Sequence, residues 1–248
     1  MSVGVNLKRI LETYGIKGLN PDDFIGIDLS QKEILMILEA CDAVWIHDGD
    51  PRKPHVELTS GLCSNAYFNL SKVLQYPNIV QILAHQLTRK LSEKGITWSE
   101  VDWVVGSPYA AITFSFEVAR QLGVLHGFCE KAKEDPKKMV WKRFEISEGQ
   151  RVLQVEELIT TSSTFRKVRK AIEEGNPLKV EFLPIIGTIV HRPPKLPVEY
   201  EIDREKIKIV ALVEKEVFAT QPEKCPLCKK GSKRLRPKEN WKELTRKS

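Results

Sequence analysis

The chain has 248 residues, of which 42% are hydrophobic and 29% are charged, and its formal net charge at pH 7 is +6. This composition is typical of a globular protein with a sizeable core, and it excludes the collagen-like, disulfide-framework and disordered classes. The charge is uneven, because residues 224–248 carry ten basic and two acidic side chains whereas the preceding 223 residues sum to −2. We therefore expect a nearly neutral body with a basic tail, a distribution that does not favour a nucleic-acid partner.

The sequence has no pattern typical of membrane insertion or secretion. No stretch approaches the roughly 18 apolar residues that a membrane span needs, and residues 1–14 lack the apolar centre of a signal peptide. The five cysteines are an odd and mostly scattered set, which favours a reducing compartment. We predict a cytoplasmic protein with no membrane partner.

Two helices are predicted in the first hundred residues. Ser30 and Glu33 form a capping box, and apolar residues then recur at spacings of three and four over residues 34–41. A second helix with apolar periodicity is predicted to begin at Pro77, and Gly95 can end it.

From residue 101 onwards, short apolar runs alternate with helical patterns. The predicted strands cover residues 101–106, 124–128, 152–155, 180–190 and 207–213. The predicted helices cover residues 109–122 and 165–172. This alternation predicts an α/β fold with a mainly parallel central sheet flanked by helices.

Two segments fall outside the alternation. Residues 55–70 have turn signals between strand-forming flanks, so they predict an irregular hairpin beside the main sheet. Residues 131–143 place six basic side chains around a proline and join two predicted strands. Such a long polar connection is typical of a functional loop, with a solvated surface loop as the alternative.

The segment after the third predicted strand carries the clearest chemical pattern. Glu156 and Glu157 lie where this strand is predicted to end. A hydroxyl-rich turn then leads into a helix and consists of Thr160, Thr161, Ser162, Ser163 and Thr164. Ligands of parallel sheets bind at the carboxyl ends of strands, and a helix N-terminus binds phosphate. The pattern therefore suits a molecule with ribose hydroxyls and a phosphate, although the turn alone could be a simple helix cap.

Residues 152–164 resemble the phosphoribosyl-diphosphate motif of type I phosphoribosyltransferases. Within that family, residues 58–69, 105–111 and 189–192 resemble segments of orotate phosphoribosyltransferases, and the likeness runs in order over roughly residues 50–230. It implies the type I phosphoribosyltransferase fold, with a small hood subdomain beside the sheet. It also implies transfer of ribose 5-phosphate from phosphoribosyl diphosphate to orotate, which yields orotidine 5-monophosphate and diphosphate.

The resemblance assigns roles to the acidic pair and the turn. Glu156 and Glu157 would hold the ribose hydroxyls and favour positive charge on the sugar. Mg²⁺ would bridge these hydroxyls and the diphosphate, because it prefers oxygen ligands. The turn that begins at Thr160 would bind the 5-phosphate.

The resemblance also assigns residues that would bind the diphosphate and the base. Ser107, Pro108 and Tyr109 would contact the diphosphate, which Lys131 would neutralise. Three further lysines of a mobile catalytic loop could assist, namely Lys133, Lys137 and Lys138. The orotate carboxylate would pair with Arg192, and the hairpin that contains Tyr67 and Phe68 would cover the base. The family works as a homodimer whose loop reaches the neighbouring site, so we expect a homodimer.

Several positions depart from the family pattern. Glu157 stands where Asp is usual, and His191 stands where Asp usually precedes the arginine. Ser162 stands where the turn usually has Gly, so a positive φ there would be strained. Two other functions therefore stay open. One is transfer to another base, such as a purine, although Arg192 favours a base with a carboxylate. The other is a regulator that keeps the fold and binds nucleic acid through its tail.

Cys225 and Cys228 form a Cys-Pro-Leu-Cys pair that resembles the ending of a longer bacterial subgroup of these enzymes. Such a pair is half of a Zn²⁺ site, because tetrahedral zinc takes four ligands. The other two could come from a second copy or from distant residues such as Cys41, Cys63 or a histidine. The alternative is a tight turn without metal.

By position, we predict an N-terminal helical region (1–54), a phosphoribosyltransferase core with the hairpin (55–215) and a basic tail (216–248).

Overall fold

The first part of the chain is mainly helical in the computed structural model, which describes residues 6–197, 199–202 and 204–245. Its elements are α1 (Leu7–Tyr14), α2 (Gln31–Ala40), β1 (Val44–Ile46), β2 (His55–Glu57), β3 (Cys63–Ser64), β4 (Ala66–Phe68), α3 (Ser71–Leu74) and α4 (Pro77–Ser92). The predicted capping box begins α2, because the Ser30 N–H donates to the Glu33 carboxylate at 2.8 Å and the Glu33 N–H donates to the Ser30 hydroxyl at 3.3 Å.

Strands and helices alternate in the second part, as the sequence predicts. The elements are β5 (Trp103–Gly106), α5 (Ala111–Leu122), β6 (Leu125–Phe128), β7 (Glu130–Lys131), β8 (Met139–Val140), β9 (Arg151–Ile159), α6 (Ser163–Gly175), β10 (Glu181–His191), β11 (Tyr200–Ile202) and β12 (Glu205–Glu214). The chain continues through β13 (Ala219–Thr220), α7 (Pro226–Lys229), β14 (Arg234–Leu235) and α8 (Pro237–Leu244).

Six strands form the central sheet in the order β11-β12-β10-β9-β5-β6. All neighbours are parallel except the edge strand β11, which is antiparallel to β12. Helices α4 and α5 cover one face, where Leu87 and Phe114 are fully buried in the main core. Helix α6 covers the other face through Phe165 and Val168. Truncating a leucine such as Leu87 to alanine would cost about 2–5 kcal/mol of stability.

Strand β9 is longer than the sequence pattern predicts. The prediction ends it at Val155, but the strand continues to Ile159, so Glu156 and Glu157 lie within it. Its neighbour β10 is longer still, with 11 residues, and pairs Thr188 with Glu156 and His191 with Ile159. The paired backbone of β10 extends the strand through the two charged residues, and this long-range pairing leaves no trace in the local sequence.

The predicted hairpin forms a second sheet beside the central one. Strands β2 and β3 pair antiparallel, β13 adds to β3, and β14 adds to β2 in parallel, which gives the order β13-β3-β2-β14. We call these four strands the hood sheet. The basic tail is therefore folded, and its Arg236 side chain donates to the Glu57 carboxylate at 3.0 Å. The Trp45 indole N–H also donates to the Leu244 carbonyl at 2.9 Å, which fixes α8 against β1.

The long polar connection between β6 and β9 is a short ribbon of β7 and β8. Trp141, just after β8, is buried among the rings of Trp103 and Phe144, with centroids 6.5 and 5.3 Å away. The ribbon is thereby anchored at its second strand. Within the described ranges, none of the helices has the length and apolarity needed to cross a membrane.

Candidate active site

Three turns meet at the carboxyl edge of the central sheet. Strands β5, β9 and β10 are parallel neighbours, so the turns after Gly106, Ile159 and His191 lie at the same edge. The Arg192 N–H donates to the Ile159 carbonyl at 2.8 Å and ties the end of β10 to that of β9. This topology brings together the three segments that the sequence predicts for phosphate, diphosphate and base.

Gly106 allows the first of these turns to form. A Cβ at this position would lie 2.9 Å from the Ala111 carbonyl oxygen, so a larger residue would push the start of α5 away from the strand. Of the residues that follow, Ser107 is buried beside the strand end and Tyr109 is exposed. The Pro108–Tyr109 peptide bond is cis.

Glu156 is buried at this edge, with 1% of its surface exposed. Its Oε2 accepts a hydrogen bond from the Ser107 hydroxyl at 2.5 Å. Its Oε1 is also buried but has no hydrogen-bond partner in the part of the chain that the structure describes. Burial, followed by the nearby charge of Glu157, raises the pKa of Glu156 to about 8. In the ligand-free protein the open Oε1 therefore carries the proton at neutral pH, and a cation that displaces this proton would find an oxygen ligand there.

Glu157 is half-buried, and burial raises its pKa as well. Because consecutive side chains of a strand point to opposite faces, the two carboxylates flank the strand instead of standing side by side. Gln154, two residues before Glu156, identifies one face, since its amide donates to the Phe165 carbonyl of α6 at 3.1 Å. The alternation thus places Glu156 on the α6 side and Glu157 on the α4 and α5 side.

The hydroxyl-rich turn leads directly into α6, as predicted. The helix begins at Ser163, its N-cap residue Ser162 makes no side-chain cap, and its first turn contains no acidic residue. Arg166 lies one turn along the helix and donates to the Ser162 hydroxyl at 2.9 Å. The helix N-terminus thus presents backbone N–H groups and positive charge, which suit a phosphate.

Ser162 has φ −73° and ψ −1°, an ordinary right-handed conformation. The expected strain at this position, where the family usually has glycine, is therefore absent. The side chains of Thr160 and Ser162 are partly exposed, and those of Thr161, Ser163 and Thr164 are exposed. All five residues lie at the mouth of the turn.

The predicted diphosphate segment and Lys131 lie together. Ser107 is buried and Tyr109 is exposed, and the Lys131 ammonium lies 5.6 Å from the centre of the Tyr109 ring. The interaction holds a cation beside the turn after β5.

The other three lysines of the predicted loop are placed differently. Lys133 is exposed in the turn between β7 and β8, and Lys137 and Lys138 line a surface groove with Lys167 and Lys170 of α6. Among the described residues, no hydrogen bond or ion pair joins them to Glu156 or Glu157. The assignment of these lysines to the diphosphate stays a prediction.

Arg192 lies at the end of β10, beside the residues predicted to cover the base. Its guanidinium carbon is 5.9 Å from the centre of the Phe68 ring, and Tyr67 is near enough to affect its pKa. Burial lowers the pKa of Arg192 and raises that of Tyr67. The Arg192 Nε is buried and lacks a hydrogen-bond partner within the described ranges. Arg192 is a half-buried cation, and its buried Nε is costly to leave unpaired unless a bound anion accepts from it.

Trp241 is a neighbour that the sequence did not predict. This residue of α8 lies with its ring centre 6.1 Å from that of Tyr67. The sequence gives only an ambiguous indication of this contact, because Trp241 is an isolated aromatic residue in a polar tail. Through Trp241 the tail thus packs against Tyr67, one of the residues predicted to cover the base.

His191, which replaces the usual acid, is buried and lies within 2.9 Å of the Tyr200 hydroxyl through Nε2. Its Nδ1 lies 3.7 Å from the Glu214 carboxylate. Burial lowers the pKa of His191, which favours a neutral ring beside Arg192. His191 therefore connects the end of β10 to β11 through Tyr200 and to β12 through Glu214.

A family model described as phosphoribosyl transferase domain matches residues 69–223. The matched residues include the strands from β5 to β12, the acidic pair and the start of α6. The protein is thus a phosphoribosyltransferase, a transferase by class.

Curated relatives narrow the class. The chain is 32% identical to the orotate phosphoribosyltransferase of Caldicellulosiruptor bescii, over 74% of this chain and 87% of the relative. It is also 32% identical to that of Caldanaerobacter subterraneus subsp. tengcongensis, over 84% of this chain and 97% of the relative. At this identity and coverage, the chain belongs to the orotate phosphoribosyltransferase family.

A solved structure supports the fold. The crystal structure of the Mycobacterium tuberculosis H37Rv orotate phosphoribosyltransferase in complex with inorganic phosphate superposes with a TM-score of 0.51 at 17% identity. The superposition covers 74% of this chain and 95% of that chain.

Proposed function

We propose that this protein transfers ribose 5-phosphate from phosphoribosyl diphosphate to orotate, which yields orotidine 5-monophosphate and diphosphate. The observation that carries the choice of base is Arg192, whose buried Nε lacks a partner among the described residues. The carboxylate of orotate complements the planar guanidinium fork. Phe68 beside it supplies an apolar ring face for a flat pyrimidine.

In the proposed reaction, the bond between ribose C1 and the diphosphate oxygen breaks, and its electron pair stays on the diphosphate. The new bond joins C1 to a ring nitrogen of orotate, whose proton passes to solvent. Positive charge builds on the sugar as the old bond breaks. Glu156 and Glu157 favour that charge and orient the ribose hydroxyls from the two sides of β9.

The anionic parts of the substrate have separate binding groups. The N–H groups at the start of α6, with the hydroxyls from Thr160 to Thr164, bind the 5-phosphate. The turn of Ser107, Pro108 and Tyr109 contacts the diphosphate, and Lys131 neutralises the charge that develops on it as it leaves.

The acidic pair also fits Mg²⁺. The fit rests on the buried, unpartnered Oε1 of Glu156 and on the second carboxylate nearby, because Mg²⁺ takes oxygen ligands and is commonly held by one or two carboxylates with substrate oxygens. When bound, Mg²⁺ would neutralise diphosphate charge. Glu156 would hold it through its open Oε1, while Glu157, on the opposite face of β9, would add negative charge nearby.

We propose that the loop lysines serve the neighbouring site of a homodimer. Lys133, Lys137 and Lys138 are exposed on the ribbon of β7 and β8 and its turn, where a partner chain can reach them. Phe116 of α5 and Leu125 of β6 are exposed at the open edge of the central sheet, 54% and 51% respectively, and offer an apolar surface for a partner. Closure of the loop would also exclude water from the reactive sugar.

The tail takes part in the fold, since its β14 completes the hood sheet and Arg236 is paired with Glu57. The regulator that binds nucleic acid through this tail stays an alternative that the activity assay tests. The free thiols of Cys41 and Cys129 favour action in a reducing compartment such as the cytoplasm.

The test is an assay with orotate, phosphoribosyl diphosphate and Mg²⁺, in which the nucleotide product is separated by ion-exchange chromatography. We expect turnover by the wild type and a loss of about 100-fold or more in a folded Glu156→Gln, Glu157→Gln double variant. If both folded proteins are equally inactive, the enzyme assignment is wrong and the regulator replaces it. If hypoxanthine, adenine or uracil turns over faster than orotate, the assignment of the base is wrong.

A further inference from the structure

Four potential metal ligands from distant parts of the chain meet beside the hood sheet. His55 lies on β2 and Cys63 on β3. Cys225 immediately precedes α7, and Cys228 lies within it. Their candidate ligand atoms all lie within 4.8 Å of one another. His55, Cys63 and Cys225 have 0% of their surface exposed, so the cluster is largely closed to solvent.

The distances match a tetrahedral site. The His55 Nε2 lies 3.6 Å from the Cys225 sulfur and 3.5 Å from the Cys228 sulfur, and the Cys63 and Cys228 sulfurs are 3.5 Å apart. Zn–S and Zn–N bonds of about 2.3 and 2.0 Å at tetrahedral angles place N and S about 3.5 Å apart and two sulfurs about 3.8 Å apart. One ion at the centre would therefore reach all four atoms with little movement.

The hydrogen bonds of His55 leave the correct nitrogen available. The Ser232 hydroxyl lies 2.6 Å from the Lys53 carbonyl, and this contact uses its only hydrogen. The same hydroxyl oxygen is 2.8 Å from the His55 Nδ1 and must accept from it. Nδ1 thus carries the proton, and the lone pair of Nε2 faces the cysteines. A second residue that fixes the tautomer in this way is typical of histidine ligands of metals.

We infer that His55, Cys63, Cys225 and Cys228 bind one structural Zn²⁺ that fastens the end of the chain to the hood sheet. Three sulfurs and one imidazole favour zinc over magnesium or calcium, which prefer oxygen. Four protein ligands leave no open position for substrate, so the ion is structural and separate from the carboxylate site. Binding releases the thiol protons to solvent.

The site resolves the alternatives that the sequence left open. The two ligands missing from the Cys-Pro-Leu-Cys pair come from the same chain, from the predicted candidate Cys63 and from His55. Cys41 takes no part, since it lies at the end of α2 in the main core. The ion would join β2 and β3 to α7 and so link both halves of the hood sheet.

The test measures metal in the full-length protein. We expect one equivalent of zinc per chain by mass spectrometry of metals after purification under reducing conditions and exhaustive dialysis. Cobalt replacement should give the visible absorption of tetrahedral Co²⁺ with a thiolate-to-metal charge-transfer band. Cys228→Ser, which changes the most exposed ligand, should lower bound zinc at least tenfold, and His55→Asn should do the same. Cys41→Ser and Cys129→Ser are matched controls that should keep the full equivalent.

Three results would overturn the inference. One is a folded wild type that stays below a tenth of an equivalent even after incubation with Zn²⁺. Another is full zinc retention by both ligand variants. The last is a metal-free protein whose mass under non-reducing conditions is two hydrogens lower and whose Cys63 and Cys228 are joined in one disulfide-linked peptide. All three readouts are independent of catalytic activity.

Discussion

Ser107 donates its hydroxyl hydrogen to the buried Glu156 carboxylate across 2.5 Å and so joins the turn after β5 to the end of β9. The bond ties two of the three turns at the carboxyl edge, and it uses one oxygen of Glu156 while leaving the other open. It also favours the ionised carboxylate, but burial is the stronger influence and raises the pKa of Glu156 to about 8.

This raised pKa predicts a pH-dependent penalty on stability. The unfolded glutamate ionises near pH 4.5, whereas the folded one holds its proton to about pH 8, so stability falls as the pH rises between these values. Glu156→Gln removes the penalty. We expect it to raise the free energy of unfolding of the ligand-free protein by up to about 3 kcal/mol at pH 7 and by almost nothing at pH 4.5. Urea unfolding across this pH range measures the difference.

Glu117 provides a control of opposite sign. Burial opposes its ionisation, but hydrogen bonds from Arg120 and Gln121 outweigh burial and hold its pKa below the ordinary value. Glu117→Gln should therefore destabilise the protein at neutral pH, and the loss should diminish as the pH falls through the pKa of the folded group. A pH-independent effect of Glu156→Gln would contradict the assignment of its raised pKa.

Arg192→Lys tests recognition of the base. Lysine keeps the charge but loses the planar fork, so we expect kcat/KM for orotate to fall about 10- to 100-fold while KM for phosphoribosyl diphosphate stays within about twofold. Steady-state rates with each substrate varied in turn measure both quantities. Arg120→Lys, on the outer surface of α5, is the matched control and should change neither. An unchanged orotate dependence in Arg192→Lys would remove the residue from the base site.

Ser162→Gly tests whether the turn needs the glycine that is usual in the family. Because Ser162 already has a φ of −73°, we expect KM for phosphoribosyl diphosphate to stay within about twofold and stability to change by a few tenths of a kcal/mol. Gly149 has a φ of +77°, so Gly149→Ala should instead cost about 1 kcal/mol. A large gain of activity in Ser162→Gly would mean that the substrate-bound turn adopts a different conformation.

Mixing two inactive variants tests the action of the loop between chains. One variant replaces Lys133, Lys137 and Lys138 with alanine, and the other carries Glu156→Gln. After unfolding and refolding together, half of the dimers are mixed, and each has one complete site if the loop serves its neighbour. About a quarter of the wild-type rate should then return. No recovery from a mixture that sediments as a dimer would assign the loop to its own chain.

Removal of zinc tests the energetic role of the inferred site. A chelator strong enough to strip the ion should lower Tm by on the order of 5–10 °C, because structural zinc contributes directly to folding. Added Zn²⁺ should restore the original Tm, whereas Mg²⁺ should not. The Cys228→Ser variant should begin near the lower Tm and show no further response to the chelator, which differential scanning calorimetry can measure.

Local pattern predicted the elements of the core well. The capping box of Ser30 and Glu33, and the alternation that begins near residue 101, give the helices and the parallel sheet because each depends on spacing within a few residues. The acidic pair and the hydroxyl-rich turn of the site were predictable for the same reason, because they too are patterns within a few residues. Arg192 lies at the carboxyl edge because it follows a parallel strand, whereas Tyr67 and Phe68 reach it from β4, which pairs with β1 outside the central sheet.

What the sequence did not reveal depends on long-range pairing. Charged Glu156 and Glu157 indicate the end of a strand, but β10 supplies a partner that continues it to Ile159. The tail gives no strand signal, and β14 exists because the edge of β2 accepts it. Lys137 and Lys138 depend on how a surface ribbon packs on α6, which local composition does not determine.

The parallel pairing of β14 with β2 also orders events during synthesis. His55 and Ser232 are 177 residues apart, yet their contact and the neighbouring strand pair complete the hood sheet. All the strands of the central sheet precede Lys215, so that sheet can assemble while the tail is still within the ribosome. The hood sheet is complete only after the residues of β14 have emerged and paired with β2, so it matures later than the central sheet.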